Sequence, residues 1–293
     1  MVKKTLVCFI ILFALNAIFW SVKKGTQPVA HEFWQANEII AQQYIYDDII
    51  PENVIVGSSI GSKIIDDSLS ATYNMSFVGQ SPYDGLEVII RSGKFPKRIF
   101  IEKNTLTGQG NKRFIGMLFN PFLFQVRKMI PAMRDGKGLL DQSVSHIESC
   151  VSGDLMPQTP IYDKGIHRYD VFPLNFPTDL DEFMQINKWR NNPYSDHLIT
   201  RTINTLKHYI DILDRNNVEI VFYEMPYEKY ICYPLSDQEM TEAIKAHFPV
   251  DKYPHIPNVN CSDEYSTFDG IHLDTKGAIN YTLFFRTQMK NYR

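Results

Sequence analysis

A serine near the start of the chain and an aspartate–histidine pair near its end are of the types that carry acyl transfer. Ser59 lies in "VIVGSSIGSKI", Val54 to Ile64, where a short apolar run stops in Gly57-Ser58-Ser59. Asp269 and His272 stand three apart in "TFDGIHL". A serine hydroxyl is a weak nucleophile and needs an adjacent base, the role open to His272. Asp269, on the same loop, can hold the imidazole in one tautomer and stabilise its charged form. The tetrahedral intermediate then needs donors for its oxygen. The backbone N–H of Ser59, the backbone N–H of Gly79 in "NMSFVGQS" and the side-chain amide of Asn104 in "RIFIEKN" are candidates. A glycine at position 79 lets the backbone approach a substrate closely. If a helix opens at Ser59, its dipole favours the negative charge that develops there.

Each signal is weak by itself. Gly-Ser-Ser after a strand is most often a turn, and Asp-x-x-His is commonplace at surfaces. Their joint placement carries the weight: each falls at an expected strand end or just before the last helix. The Gly57-Ser58-Ser59 turn follows the strand "NVIVG", Gly79 follows "ATYNMSFVG", and Asn104 closes "KRIFIEKN". Between them "GLEVIIRSG", Gly85–Gly93, reads as the end of a helix. "SDHLITRTINTLKHYIDILDRNN" is the clearest helix. Ser195 is its cap, and Leu198, Ile199, Ile203, Leu206, Ile210 and Leu213 form one apolar face. The strand "VEIVFYEMP" follows, stopped by Pro226. A capping box of Ser236 and Glu239 opens the next helix, and "TKGAINYTLFFRTQM" closes the chain. Upstream, "HEFWQANEIIAQQYIYDDII" has helical spacing. Strands alternating with helices point to an α/β fold with a mostly parallel sheet.

Residues 105–194 break this rhythm. "RFIGMLFNPFLFQVRKMIPAMRDGKG" is rich in Phe and Met and is interrupted by Pro121 and Pro131. A Pro- and Asp-rich stretch follows. The segment reads as a mainly helical or irregular insertion over the carboxyl edge of the sheet, where α/β proteins hold ligands. Its Phe and Met residues form either a small satellite core or a functional surface, a lid or a membrane-facing acyl-chain surface.

The four positions resemble the blocks of the SGNH hydrolases, the GDSL-like lipase/esterase superfamily, over roughly residues 50–285. Ser59 matches the serine of Gly-Asp-Ser, Gly79 the second block, Asn104 the asparagine of Gly-x-Asn-Asp, and Asp269 with His272 the final Asp-x-x-His. Two blocks depart from the pattern. Ser58 stands where the family has Asp, and in "EKNT" Glu102 replaces Gly and Thr105 the second Asp. Those departures are similar to divergent, membrane-anchored branches that add or remove acyl groups on surface polysaccharides. The resemblance implies a three-layer α/β/α sandwich and Ser-His-Asp chemistry without metal or organic cofactor. The catalytic set is then Ser59, Asp269 and His272, with Ser59, Gly79 and Asn104 as the oxyanion hole. Ser58 becomes a turn residue bonded to local backbone, and Ser62 is structural. Of the other histidines (His31, His146, His167, His197, His208, His247, His255), most are surface or packing residues, with His167 a candidate substrate contact.

Composition narrows the setting. The chain has 293 residues, 44% hydrophobic, with a net charge of -3. No basic tract offers a footprint for nucleic acid. At the start, Lys3 and Lys4 precede the uncharged "TLVCFIILFALNAIFWSV", Thr5–Val22, and Lys23 and Lys24 follow it. This run approaches the roughly 20 residues that cross a bilayer, with Trp20 at an interfacial position. "LNA" is a poor signal-peptidase site, so residues 1–24 are expected to be an uncleaved anchor rather than a cleaved signal. A short basic start stays in the cytoplasm, which puts 25–293 outside, in the periplasm or on the cell surface. Cys8 lies in the apolar run. Cys150, Cys232 and Cys261 lack CxxC spacing, so they offer no zinc site and allow at most one disulfide.

The expected function is therefore a membrane-anchored esterase or O-acyltransferase acting on acyl esters, chiefly acetyl, of an acylated glycan. Partner proteins of a polysaccharide-modification system are expected. A catalytically silent glycan-binding or assembly protein that keeps the same fold is the competing reading.

Overall fold

The computed structural model describes residues 7, 11, 14, 15, 33–137, 192–231, 234–259 and 262–292. Most of the expected anchor, all four cysteines, His31, His146, His167 and the larger part of the insertion lie outside these residues. Among the described residues no helix is long and apolar enough to cross a membrane. The fold is α/β, with a four-stranded parallel sheet and seven α-helices among the described residues.

The described residues fall into two compact units. One runs up to Asp48 and resumes at Lys112; the other holds Ile49–Asn111 and the described residues from 192 onward. In the first, α1 (Phe33–Tyr46) pairs with part of the Phe- and Met-rich segment. That segment forms α3 (Lys112–Leu118) and α4 (Pro121–Met129). Asn120 caps α4 by accepting the N–H groups of Phe122 and Leu123, both at 3.1 Å, and Pro121 takes the first helical position, where its missing N–H costs nothing. Trp34 meets Phe114 edge-on, with ring centroids 5.6 Å apart. Phe114 and Leu118 are buried, whereas Phe122 and Met129 face outward. The segment thus forms a small core and leaves an apolar side uncovered by described residues.

The second unit holds the sheet, in the order β2-β1-β3-β4. The strands are β1 (Asn53–Gly57), β2 (Thr72–Ser76), β3 (Arg98–Glu102) and β4 (Glu219–Tyr223). Val54, Ile55, Val56, Ile99, Phe100 and Ile101 are all sealed from solvent. A parallel sheet covered on both faces needs such continuous apolar runs in place of alternation. The register pairs Gly57 with Ser76, Val56 with Ile101 and Glu102 with Tyr223, which aligns the carboxyl ends of neighbouring strands. Beyond β4 the ladder continues as one parallel bridge between Phe222 and His255.

Helices cover the two faces differently. α2 (Pro82–Ser92) lies on the Val56 face, so close that a Cβ at Gly85 would meet Val56 Cγ1 at 2.8 Å. α5 (Asp196–Arg215) buries Ile203, Leu206, Ile210 and Leu213 and contacts α2 and β4. Its cap is Ser195, whose hydroxyl accepts the Leu198 N–H at 3.3 Å. Successive strand residues point to opposite faces. Ile55, Phe100, Val221 and Tyr223 accordingly pack with Ala278, Tyr281 and Phe285 of α7 (Thr275–Met289). Full burial of the large apolar side chains among them, Ile55, Phe100, Val221 and Phe285, contributes about 1.5–3 kcal/mol each.

Two local expectations change. The helix after Pro234, α6 (Leu235–His247), has no Ser236–Glu239 capping box. Ser236 is buried inside the first turn, and the Glu239 carboxylate instead accepts the N–H of Tyr194 at 2.9 Å. Pro234 sets the entry, because its fixed φ starts the helix two positions earlier than a cap at the serine would. Ser59 leads into a 3-10 turn, Gly61–Lys63, with a second at Asp66–Ser68, and no α-helix forms before β2. The aligned peptide dipoles that a longer helix would direct at Ser59 are therefore absent from this turn.

Candidate active site

Asp269 and His272 sit in a tight loop that the sequence builds around a glycine. Thr267 and Leu273 form an antiparallel bridge, and the Phe268 N–H donates to the His272 carbonyl at 3.1 Å. Gly270 turns the chain with φ of 85°, a left-handed conformation that a side chain would resist. Its N–H donates to Thr267 Oγ1 at 3.0 Å, and its carbonyl accepts the Glu228 N–H at 2.9 Å. Asp269 Oδ1 accepts the N–H groups of Ile271, at 3.1 Å, and His272, at 2.7 Å. This is the local side-chain-to-backbone pattern that aspartate favours in turns. Its second oxygen is left for the imidazole: Asp269 Oδ2 lies 2.5 Å from His272 Nδ1. Phe268 stacks on the His272 ring at 5.7 Å between centroids, so the ring is held from one face as well.

The other ring nitrogen closes the set. His272 Nε2 lies 2.8 Å from Ser59 Oγ. With Asp269 as acceptor, Nδ1 carries the hydrogen and Nε2 is free to accept the Ser59 hydroxyl proton. Burial alone would push the Asp269 carboxyl up. The hydrogen bond and charge of the His272 ring, with the two backbone N–H groups, outweigh it and hold this carboxyl below its ordinary range. Asp269 is therefore ionised at neutral pH and can stabilise an imidazolium. Its side chain is 5% exposed, while that of His272 is 17% exposed, which leaves the ring edge open to a substrate.

Gly79 and Asn104 stand at the carboxyl ends of the strands flanking β1, and no hydrogen bond joins either to the Ser59–His272–Asp269 chain. Gly79 occupies the third position of a turn closed by the Gln80 N–H to the Phe77 carbonyl, 3.2 Å, with φ of 71°. That conformation favours glycine, with asparagine the next most tolerant. Its N–H has no acceptor among the described residues. Asn104 is bound at both ends of its amide to the backbone of one residue, Met225. Its Oδ1 accepts the Met225 N–H at 2.8 Å, and its Nδ2 donates to the Met225 carbonyl at 3.0 Å. One amide hydrogen remains for a ligand. Asn104 thus also fastens the end of β3 to the chain beyond β4.

Ser62 is local, as expected, whereas Ser58 is so only in part, because its hydroxyl and its N–H also donate to Glu102 on β3, at 2.9 and 2.8 Å. Ser58 Oγ accepts the Ile60 N–H at 3.2 Å, and Ser62 Oγ donates to the Ser59 carbonyl at 2.7 Å. His197, His208 and His247 are exposed, and His255 packs against Phe222. What residue spacing did not reveal is Glu102. It is fully buried, and its carboxylate accepts four hydrogen bonds, three of them from the turn that carries Ser59. "EKN" marked it only as a departure from the Gly-x-Asn-Asp pattern; a charged residue ending a buried parallel strand was the available signal. No protein-family model matches the chain, and no similar protein was found among curated proteins or solved structures.

Proposed function

We propose that this chain is a Ser-His-Asp esterase or O-acyltransferase of the SGNH type, with a three-layer α/β/α domain and Ser59 as nucleophile. The observation that carries this reading is the unbroken chain from Ser59 Oγ to His272 Nε2, 2.8 Å, and from His272 Nδ1 to Asp269 Oδ2, 2.5 Å. In this mechanism His272 takes the hydroxyl proton as Ser59 Oγ attacks the ester carbonyl, and Asp269 stabilises the resulting imidazolium. The oxyanion draws on the N–H groups of Ser59 and Gly79 and the spare amide hydrogen of Asn104. Collapse expels the alcohol, which receives the proton from His272, and leaves an acyl-Ser59 ester. Water or a sugar hydroxyl then attacks that ester, with His272 again as base.

The proposed setting is extracytoplasmic and membrane-anchored, supported by the apolar run Thr5–Val22. The proposed substrates are acyl esters, acetyl first, of a surface polysaccharide. The test uses the protein with p-nitrophenyl acetate. Acid release that disappears in Ser59→Ala supports the reading; undiminished release in that variant removes Ser59 from it. Mass analysis of products from an acyl donor mixed with an oligosaccharide separates hydrolysis from transfer.

A further inference from the structure

The turn that presents Ser59 is built around a carboxylate from another strand. Glu102 closes β3, next to β1 in the sheet. Its Oε2 accepts the N–H groups of Ser58, at 2.8 Å, and Gly61, at 2.9 Å. Its Oε1 accepts the hydroxyls of Ser58, at 2.9 Å, and Thr105, at 3.0 Å. Two more donors of the turn are used locally: the Ile60 N–H goes to Ser58 Oγ and the Ser62 N–H to the Ser58 carbonyl. From Ser58 to Ser62, only the Ser59 N–H has no acceptor among the described residues.

The glycines of "GSSIG" carry the same imprint. Neither Gly57 nor Gly61 has a positive φ, so backbone conformation does not call for glycine at either position. Space does: a Cβ would come within 2.4 Å of Glu102 Oε2 at Gly57 and 2.5 Å at Gly61. The carboxylate also sits where burial disfavours its charge, and none of its four partners is a cation. Burying an unpaired carboxylate costs several kcal/mol, so an apolar filler would serve stability better.

We propose that Glu102 is a positioning residue for Ser59. By taking the N–H groups on both sides of Ser59, it fixes the hydroxyl against His272 and leaves the Ser59 N–H as the one open donor of the turn. This rests on the acyl-transfer reading above. It assigns to β3 the carboxylate that the SGNH pattern would place at position 58.

The experiment compares Glu102→Ala, Glu102→Gln and Glu102→Asp with wild type on p-nitrophenyl acetate, each corrected for folded fraction. Glutamine keeps the reach: its carbonyl can accept both N–H groups, and its NH2 can donate to hydroxyls that turn to accept. Aspartate keeps the charge but is one methylene short. The expected result is a kcat loss of about 100-fold or more in the alanine variant, with KM within about threefold of wild type. Glutamine should restore most of kcat and aspartate little. If Glu102→Ala does not fold, the glutamine–aspartate comparison decides alone. A folded alanine variant with wild-type kcat, or aspartate outperforming glutamine, overturns the proposal.

Amide hydrogen exchange at Ser58 and Gly61, read by NMR, needs no turnover. Protection in wild type that is lost in the alanine variant supports the cradle, and free exchange in wild type overturns it. A wild-type protein that hydrolyses no ester and takes up no fluorophosphonate sinks the acyl-transfer reading, an outcome distinct from either result at Glu102.

Discussion

His272 reaches Ser59 across 213 residues of sequence, with 2.8 Å between Nε2 and Oγ. The contact joins the turn after the first strand to the loop before the last helix. It therefore exists only if the whole second unit is assembled. Local propensity could place each half of the site at a loop, but only the parallel sheet brings the halves within a proton's transfer.

The acid is the part most sharply tested by a near-isosteric change. Asp269→Asn keeps an oxygen for the N–H groups of Ile271 and His272, so the loop should hold. Its amide can no longer accept from Nδ1–H while it donates there, and the imidazole is driven to the wrong tautomer. The expected loss in kcat on a p-nitrophenyl ester is about 10⁴-fold, with an unchanged melting temperature. Retention of more than a tenth of the activity would show that His272 does not depend on Asp269.

His255 makes the stability of the fold sensitive to mild acid. Burial first, then the charges of Lys103 beyond β3 and Lys245 on α6, push it down to about 4, with Glu242 opposing. Above the ordinary histidine range the ring is neutral whether the chain is folded or not. As pH falls from 6.5 towards 4, the unfolded chain binds a proton that the folded one refuses, so stability is lost across that window and levels off below it. Neither ring nitrogen has a partner among the described residues, so His255→Phe sacrifices no hydrogen bond there. Denaturant midpoints measured between pH 7 and 4 should fall less steeply in that variant. Asp269, whose carboxyl is lowered, contributes its own loss only at more acid pH.

Much of this was legible in the sequence, for reasons that differ from residue to residue. The four strands are short β-rich runs ended by Gly, Ser, Asn or Pro, and a buried parallel strand leaves that trace whatever its neighbours are. α5 carries its apolar stripe and its Ser195 cap openly. Asp269 and His272 are readable because three residues suffice to make their contact. Other features depend on partners far away in sequence. Glu102 looked like a substitution because its four donors come from the neighbouring turn and from Thr105. The glycines at 57 and 61 looked like turn residues because the group they make room for is on β3. Ser236 looked like a cap because nothing local showed that Pro234 would start α6 first. The two-unit grouping, in which α1 joins residues from Lys112 onward, is likewise a matter of packing and leaves no periodic mark.

Lys103 and Glu224 form a buried ion pair at the ends of β3 and β4. Nζ and Oε2 are 3.0 Å apart, and the side chains are 7% and 6% exposed. Thr241 accepts from Lys103 at 3.0 Å, and Asn258 donates to Glu224 at 2.8 Å. Lys103→Met strips the cation and leaves the carboxylate buried, which should cost about 3–5 kcal/mol in urea unfolding. The double variant Lys103→Met/Glu224→Leu removes both charges and should recover most of that. A single variant as stable as wild type would mean that the pair opens to water.

Gly79 and Gly61 should fail in different ways when given a methyl group. At Gly79 an added Cβ meets nothing within 4 Å, but φ is 71°. Alanine there bears only the left-handed penalty, about 1–2 kcal/mol, and Gly79→Asn, which tolerates that region, should bear less. At Gly61 the backbone is unstrained, but the Cβ would sit 2.5 Å from both Glu102 Oε2 and the Tyr223 hydroxyl, inside the packed core. Gly61→Ala must therefore push the carboxylate or the turn aside, and Ser59 moves with the turn. The measurements are thermal unfolding and the rate of fluorophosphonate labelling. Gly79→Ala should lower stability modestly and Gly79→Asn less. Gly61→Ala should slow labelling far more than its loss of stability explains, because the displaced turn no longer presents Ser59 to His272. Equal labelling rates in wild type and Gly61→Ala would show that the turn tolerates displacement and that its geometry around Glu102 is not what holds the nucleophile.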